Sequence, residues 1–579
     1  MPGPAPPLPR PGRKHRRALL TTPSHGTVDR APWVRDDGGV NSRKVRFVTL
    51  AASAVAAVGV VPLLAGCATE RAEADGSPRD PAPVAQAAEP EESVLVLGSA
   101  DAAELALTAS QTFFTTAPVV VLAAADDEAA QATAAAAAAP LTAPVLLVGG
   151  GISDDGVRAE LERLGAVAVV TVDEDQPPPG GAASEDDPDE RPSIALGGLG
   201  DVAAVHLDVD AVTETGEVDP RDLEDVVAEL PESGEADVLT EVLVLAQPGA
   251  TQVAAVATAR AAGALPVEVA DGDPLADAGV VETISAAKAL AVVGIGEAFG
   301  TPEALGWRVR AAESGVLLPS GSQLALPDDV RYVVTAADAV TPALLAVGEP
   351  ATTDTLTRAT TAADAFAAAD ERSAVPTVEV RATRASSTAG PDGDYSTEAP
   401  AAELRPFVDA AAEAGVQVVL ALEPGLATFD EQVEEYADLL ALPGVGVALD
   451  VSARFGTGPD GTGADGTVDV AEVEAAQAAL ADIVRSEGLP QKLLVVQAAG
   501  PDTVRGLADL DAGDGEVAVV VQSVAPGGFA ARVAAWEALP ELLPAGAVAG
   551  WTTGSSDPTR DVAGVLALEP VPRYVAAMA

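Results

Sequence analysis

Val416-Gln417-Val418-Val419-Leu420, the turn residues Glu423-Pro424-Gly425, a helical stretch from Phe429 to Leu440 and then Gly444-Val445-Gly446-Val447-Ala448-Leu449-Asp450 follow one another in this chain of 579 residues. Two continuous apolar runs of strand length separated by one helix make a strand–helix–strand unit, because strands apolar on both sides must be covered on both sides. Working outward, similar runs fall at Tyr332 to Thr335, Thr377 to Ala382, Lys492 to Gln497, Val517 to Gln522, Ala547 to Trp551 and Val565 to Leu568. Eight strands over about 250 residues, with helical segments between several of them, predict a (β/α)8 TIM-barrel-like domain over residues 329–579.

The preceding part, residues 93–328, reads as a separate α/β domain with a parallel sheet. Apolar runs at Val94 to Gly98, Val119 to Ala123, Val145 to Gly149 and Val167 to Val172 alternate with Ala-rich helical stretches such as Glu128 to Ala139, which reads as packing. The order strand, helix, proline-introduced strand, helix, strand ending in Gly occurs twice. It runs from Val94-Leu95-Val96-Leu97 through Ala117-Pro118-Val119 to Val145, and again from Val242-Leu243-Val244-Leu245 through Leu265-Pro266-Val267 to Ala289–Gly294. Asp173 to Arg191, with three consecutive prolines and many carboxylates, reads as an exposed loop.

The first residues carry a different signal. Arg43, Lys44 and Arg46 precede an apolar stretch from Phe47 to Leu64, which ends in Leu64-Ala65-Gly66-Cys67 and contains the only cysteine. That stretch is short for a membrane span, and the whole resembles the lipobox of a bacterial lipoprotein. The resemblance implies that Cys67 is diacylated through its sulfur and tethers the mature protein outside the membrane. On this reading residues 1–39 are upstream sequence with the start at Val40, 40–66 are the signal peptide and 67–92 form a flexible tether.

Removal of residues 1–66 leaves 23 basic and 85 acidic residues, a net charge of −62. Nucleic acid is excluded as a partner, since binding it depends on cationic side chains. Anionic wall polymers are repelled unless a divalent cation bridges them. His206 is the only histidine after the signal and Cys67 is occupied by lipid, which argues against nucleophilic triads and zinc sites of the usual ligands, and no cofactor is expected beyond a divalent cation for wall binding.

The doubled strand pattern resembles the bacterial cell-wall-binding repeat. The later half resembles actinobacterial secreted or lipid-anchored proteins that join such repeats to a barrel-like region, through Gly390-Pro391-Asp392-Gly393-Asp394-Tyr395-Ser396, Glu423-Pro424-Gly425, Gly446-Val447-Ala448-Leu449-Asp450, Leu489-Pro490-Gln491-Lys492-Leu493 and Leu568-Glu569-Pro570. The resemblance implies a lipid-anchored extracellular envelope protein that binds a cell-wall polymer or peptidoglycan without catalysis. Its pattern would place Asp at Ala421 and Ser523, His near Val496 and a Pro-Glu-Trp-like segment at Ser452-Ala453-Arg454, and the replacement of these groups here implies a degenerate barrel.

Barrel chemistry sits at the C-terminal ends of strands. Glu379, Arg381, Glu423, Asp450, Gln497, Gln522 and Trp551 hold those positions. Glu423 and Asp450 end neighbouring strands, a pairing that would suit hydrolysis of a glycosidic bond, with Glu379 as a further carboxylate. The other reading of both is local: Glu423 caps a turn and Asp450 accepts backbone hydrogen bonds. Trp551 is a candidate platform for a sugar ring. Gly150 and Gly151, opening a helix near Ser153, are candidates for an anion cradle, and His206 reads as a structural histidine. The alternatives from other classes are a carbohydrate-active hydrolase using Glu423 and Asp450, and a solute-binding lipoprotein whose two lobes close on a ligand.

Overall fold

Strands apolar on both faces must be covered on both, and the computed structural model does this with two four-stranded parallel sheets and with one closed barrel whose lumen its own side chains fill. It describes residues 82–173, 202–213, 215–338, 350–456, 466–511, 513, 515–554 and 557–577. Cys67, the expected signal, most of the tether and residues 174–191 of the acidic loop lie outside the described residues.

The chain passes through β1 (Gln86–Ala87), β2 (Val94–Leu97) and α1 (Ala102–Phe113) to β3 (Phe114–Thr116), which pairs antiparallel with β1. Residues 82–92 are therefore not a free tether. Ala85 is buried, and the Ala87 N–H donates to the Asp237 carbonyl.

Next come β4 (Val119–Ala124), α2 (Glu128–Leu141), β5 (Val145–Val148), α3 (Asp154–Leu164), β6 (Ala168–Asp173) and β7 (Ala203–Asp208), whose strands form a parallel sheet in the order β5-β4-β6-β7. After α4 (Pro220–Glu229), a second parallel sheet is built from β8 (Val242–Ala246), α5 (Val253–Ala261), β9 (Leu265–Glu268), α6 (Ala278–Ala287) and β10 (Ala291–Ile295), followed by α7 (Pro302–Glu313). Its order is β9-β8-β10-β2. The like-ordered units are thus β4-β5-β6 and β8-β9-β10, one strand out of step with the copies expected from the sequence. β2 leaves the first unit to fill the outer place of the second, pairing Val94 with Val292. Similar apolar runs do not say which sheet a strand joins.

Local chemistry sets the helix ends. Asp127 accepts from the Ala129 and Ala130 N–H groups to start α2, and Ser153 accepts from Gly156 to start α3. The Ala-rich face of α2 lies against α5, where small side chains permit close approach. The edge of β5 is covered as well, its Val145 N–H donating to the buried Thr258 hydroxyl at 2.9 Å. No helix among the described residues is long and apolar enough to cross a membrane.

The remaining chain comprises β11 (Val330–Asp338), α8 (Pro350–Ala367), β12 (Ser373–Arg381), the hairpin of β13 (Thr383–Ala385) and β14 (Ser396–Glu398), α9 (Ala401–Glu413), β15 (Gln417–Leu422), α10 (Phe429–Glu435), α11 (Ala437–Leu440), β16 (Val445–Asp450), β17 (Val468–Asp469), α12 (Val470–Glu487), β18 (Lys492–Ala498), β19 (Val504–Arg505), β20 (Val517–Ser523), α13 (Phe529–Ala538), β21 (Val548–Thr553), α14 (Val562–Leu566) and β22 (Tyr574–Ala577). β11, β12, β15, β16, β18, β20, β21 and β22 close into a barrel in which every pairing is parallel. Following the registers once around from Glu379 returns level with residue 371, a displacement of about eight residues, the shear of a (β/α)8 barrel.

Seven expected strands are found and the eighth is corrected. Val565 and its neighbours belong to α14, which Asp561 caps by accepting from Gly564, and the closing strand is β22. Tyr332, Val334, Val375, Val419, Ala448, Leu493, Val495, Val520 and Tyr574 fill the lumen, while Val378, Val418, Leu420, Val447, Leu494 and Val521 face the helices.

Both halves belong to one unit. Trp307 and Val309 of α7 pack in one cluster with Val484 and Leu489 from the end of α12 and the loop after it. Gln491 accepts from the Ala325 N–H at 2.8 Å. The α/β half is thereby fixed beside the N-terminal end of the barrel strands.

One charged group is sealed into the outer wall. Lys492 is buried and its ammonium donates to the Leu442 and Pro443 carbonyls, and burial pushes it down to about 7. Between about 7 and the ordinary 10.5 the unfolded chain holds a proton that the folded chain lacks, so stability rises with pH across that window. Lys492→Met should flatten that rise and stabilise the protein at pH 6.5 by about 1 kcal/mol. Denaturant unfolding at pH 6.5 and 9.5 reads both, and an unchanged slope would contradict the assignment.

Candidate functional site at the barrel mouth

In a parallel barrel, residues paired in register point the same way, so alternate residues of each strand line the lumen. Register pairs Asp450 with Gln497, Gln497 with Gln522, and Gln522 with Gly550. Arg381 pairs with Ala421, and Glu423 and Asp450 follow the last recorded pair of their strands, Leu422 with Leu449. The expected strand-end residues, Trp551 apart, are thus gathered at one mouth.

Glu379 stands at the centre of this ring. Its carboxylate accepts from Gln497 Nε2 on both oxygens at 3.2 Å, and its Oε2 also accepts from the Tyr574 hydroxyl at 3.2 Å. Both bonds cross the lumen. Gln497 Nε2 donates in addition to Gln522 Oε1 at 3.1 Å, and Gln522 Nε2 donates to the Thr552 hydroxyl at 2.8 Å. With Gln497 7% exposed and Gln522 2%, this is a buried polar chain whose members satisfy one another. Burial raises the Glu379 carboxyl above its ordinary value; the Gln497 and Tyr574 hydrogen bonds oppose that, Asp450 adds to it and Arg381 opposes it.

Glu423 forms an ion pair with Arg381 at 2.5 Å and accepts from the Ala385 N–H at 3.0 Å. Its backbone is clamped by Thr383 and Ser396, from the two strands of the β13–β14 hairpin. Its carboxyl is also raised, burial being the largest cause, opposed by Arg381 and the Ala385 amide and reinforced by Asp450. Asp450 Oδ1 accepts from the Ser452 N–H at 3.1 Å and the Ser452 hydroxyl at 2.6 Å. Asp450 thus has the local partners of the turn-and-cap reading, whereas Glu423 is held by Arg381 and Ala385 from the end of β12 and the hairpin after it, and the Asp450 charge acts on both glutamates.

An aromatic pair, Tyr395 and Phe455, stands at the rim with ring centroids 6.3 Å apart. The loops carrying it are tied to the β15 end: Leu426 donates to the Asp394 carbonyl at 2.6 Å and Phe455 to the Gly425 carbonyl at 2.8 Å. A Cβ at Gly425, where φ is +58°, would lie 2.6 Å from the Tyr395 carbonyl, so this contact requires glycine.

Three expectations are corrected or bounded. Trp551 lies between lumen-facing Gly550 and Thr552 and so points outward. It is 1% exposed, stacks edge-on against Trp536 at 5.6 Å and donates to the Thr559 hydroxyl, and it offers no platform to a sugar. At Gly150 and Gly151 the place of an anion is taken by the protein's own Asp101, whose carboxylate accepts from the Gly151 N–H at 3.0 Å. His206 Nδ1 lies 2.7 Å from an Asp173 carboxylate oxygen on the neighbouring strand. Tyr574 and Thr552 are members of the mouth that sequence reasoning missed. The signal for Tyr574 was the alternation of Tyr574-Val575-Ala576 just after Pro572.

No group of three or more His, Cys, Asp or Glu side chains among the described residues is arranged to hold a metal ion. A cavity of about 330 Å³ at the opposite, N-terminal end of the barrel is lined by Gln491, Ala518, Val548 and Arg573. Arg573 is engaged there with Asp328 and the Leu326 carbonyl.

No family model matches the chain, and no curated protein matches it. Among solved structures it is similar to Cwp6 from Clostridium difficile, with 13% identity and a TM-score of 0.27 over 58% of this chain. The chain covers 63% of the length of that protein, and a likeness at this level places it in no family.

A folded carboxyl raised above the ordinary 4.5 keeps a proton that the unfolded chain has lost, so its stabilising contribution is present below 4.5 and disappears as pH rises through the folded value. Glu379→Gln, which can still accept from Gln497, should remove that loss. Thermal unfolding should find the variant about 1 kcal/mol more stable than the parent at pH 7.5, and less so at pH 5. Equal differences at both pH values would contradict a raised Glu379.

Proposed function

We propose that this chain is a lipid-anchored extracellular envelope protein that binds a cell-wall polymer or peptidoglycan at the barrel mouth and does not turn it over. The observation that carries this reading is that each mouth carboxylate already has protein partners: Glu379 holds Gln497 and Tyr574, Glu423 holds Arg381 and Ala385, and Asp450 holds Ser452. A general acid or base must exchange its proton with substrate, whereas groups fixed by neighbours form a preorganised binding surface. The lipobox ending at Cys67 supports the location, with the membrane reached through the lipid alone. The two like-ordered parallel sheets are the part of the chain that we assign to cell-wall-binding-like repeats. No cofactor is invoked; calcium or magnesium could bridge the acidic surface to an anionic polymer.

The hydrolase reading is favoured by one observation, the raised carboxyl of Glu423 beside Asp450, since such a pair can supply an acid and a base. One experiment separates the two. Mature protein from residue 68 onward is mixed with peptidoglycan sacculi, with and without attached wall polymer and calcium, and the supernatant is assayed for reducing sugar. Retention on sacculi with no sugar released is expected. Sugar release that disappears in Glu423→Gln would establish the hydrolase, and no retention under any condition would remove the binding reading.

A further inference from the structure

The N-terminal edge of the second sheet carries an apolar strip. Its strands run parallel in the order β9-β8-β10-β2, so their first residues lie along one edge. Leu265 opens β9, Val238 stands four residues before β8, and Leu290 immediately precedes β10. Their side chains are 53%, 45% and 70% exposed, and Leu290 is the most exposed large apolar side chain among the described residues. The strip is continuous. Leu265 pairs with Leu243 of β8, and a Cβ at Gly263, two residues earlier, would lie 3.0 Å from the Val238 Cβ. Single exposed aliphatic residues are ordinary on a protein surface, whereas adjoining ones rimmed by polar groups mark an interaction site.

Val238 and Leu290 line a groove of about 290 Å³. One of its walls is the segment from Ala87 to Ser93, which is fixed before any partner arrives. The Asp237 N–H donates to the Ala85 carbonyl at 3.0 Å, and the Ala87 N–H donates to the Asp237 carbonyl at 2.9 Å. Exposed Glu89, Glu91, Glu92, Asp237 and Glu241 complete the lining, and no Lys, Arg or His among the described residues joins them.

Occupants differ in how they meet these two features. A second copy brings the same five carboxylates and a net charge of −62, and an anionic lipid surface is repelled in the same way. Residues 67–81 of this chain hold four acidic and two basic residues, so they too carry the wrong sign. A segment of opposite charge satisfies both features, because its apolar side chain covers the strip while its cations face the carboxylates.

We infer that this groove docks a basic segment of another protein, one that sets an aliphatic or aromatic side chain among Lys or Arg residues. The apolar side chain lies on Val238 and Leu290, and the cations lie beside Glu89, Glu91, Glu92, Asp237 and Glu241. Charge brings such a partner to any part of this acidic surface; the apolar strip selects the place. The groove is in the α/β half, and its use does not depend on what the barrel mouth binds.

Fluorescence anisotropy on the mature protein, at about 0.15 M salt where charges beyond roughly 8 Å are screened, tests this with three short labelled peptides. One alternates lysine with leucine, one lysine with serine and one glutamate with leucine. The lysine–leucine peptide should bind at least about tenfold more tightly than either of the others, a difference of about 1.4 kcal/mol. Leu290→Ser, at a position too exposed to disturb folding, should remove most of its advantage over the lysine–serine peptide. Glu89→Gln, Glu91→Gln and Glu92→Gln together should weaken it several-fold. The same three charge changes at exposed Glu403, Glu413 and Glu537 should leave it intact.

The inference is overturned if the lysine–serine peptide binds as tightly as the lysine–leucine peptide, if Leu290→Ser changes nothing, or if the two sets of charge changes act alike. Sedimentation at rising concentration should find a monomer; a dimer that Leu290→Ser dissociates would assign the strip to a second copy instead. Binding of the unlipidated protein to phosphatidylcholine vesicles, abolished by Leu290→Ser, would assign it to a bilayer and equally overturn the inference.

Discussion

The seam at which β22 meets β11 is the constraint on which the rest depends. Tyr574 pairs there with Tyr332, and their rings stack in the lumen with centroids 6.4 Å apart. With that pairing the eight strands close at a displacement of about eight residues, and a closed sheet has no edge left to satisfy. Closure is also what carries Tyr574 and Gln497 across to Glu379, while Gln522 reaches Gln497 from the neighbouring strand. A slip of one residue in any strand would turn its lumen-facing side chains into the helical layer. The polar mouth is therefore a product of barrel register rather than of any local motif.

How far the sequence spoke for itself follows from what each feature depends on. Strands such as β15, β16 and β18 were legible because continuous Val and Leu runs of that length have few other uses. The closing strand was not, because Val565 and Leu566 are as apolar as a strand, and the cap at Asp561 that makes them helical is a single side-chain bond. In the α/β half the alternation was visible, but β2 crosses to the other sheet, a choice made by tertiary packing.

The candidate site divides in the same way. Glu379, Glu423, Asp450, Gln497 and Gln522 could be found because they end barrel strands. Their mutual bonds could not, since these depend on how far each strand is staggered. Trp551 was placed on the wrong side by one residue, which in a period of two reverses its environment completely. Gly150 and Gly151 looked open to an anion because Asp101, which fills that place, stands fifty residues earlier in the chain.

Hydrogen–deuterium exchange on the mature protein, free and saturated with a soluble peptidoglycan fragment, tests the central claim most directly, since it reports where the ligand sits whatever its affinity. The account predicts slowed exchange confined to the strand ends and loops of the mouth, around residues 379–385, 423–428, 450–456, 497–500 and 552–554. Protection confined to the α/β half, or to the Gln491 and Arg573 end of the barrel, with the mouth unchanged, would contradict it.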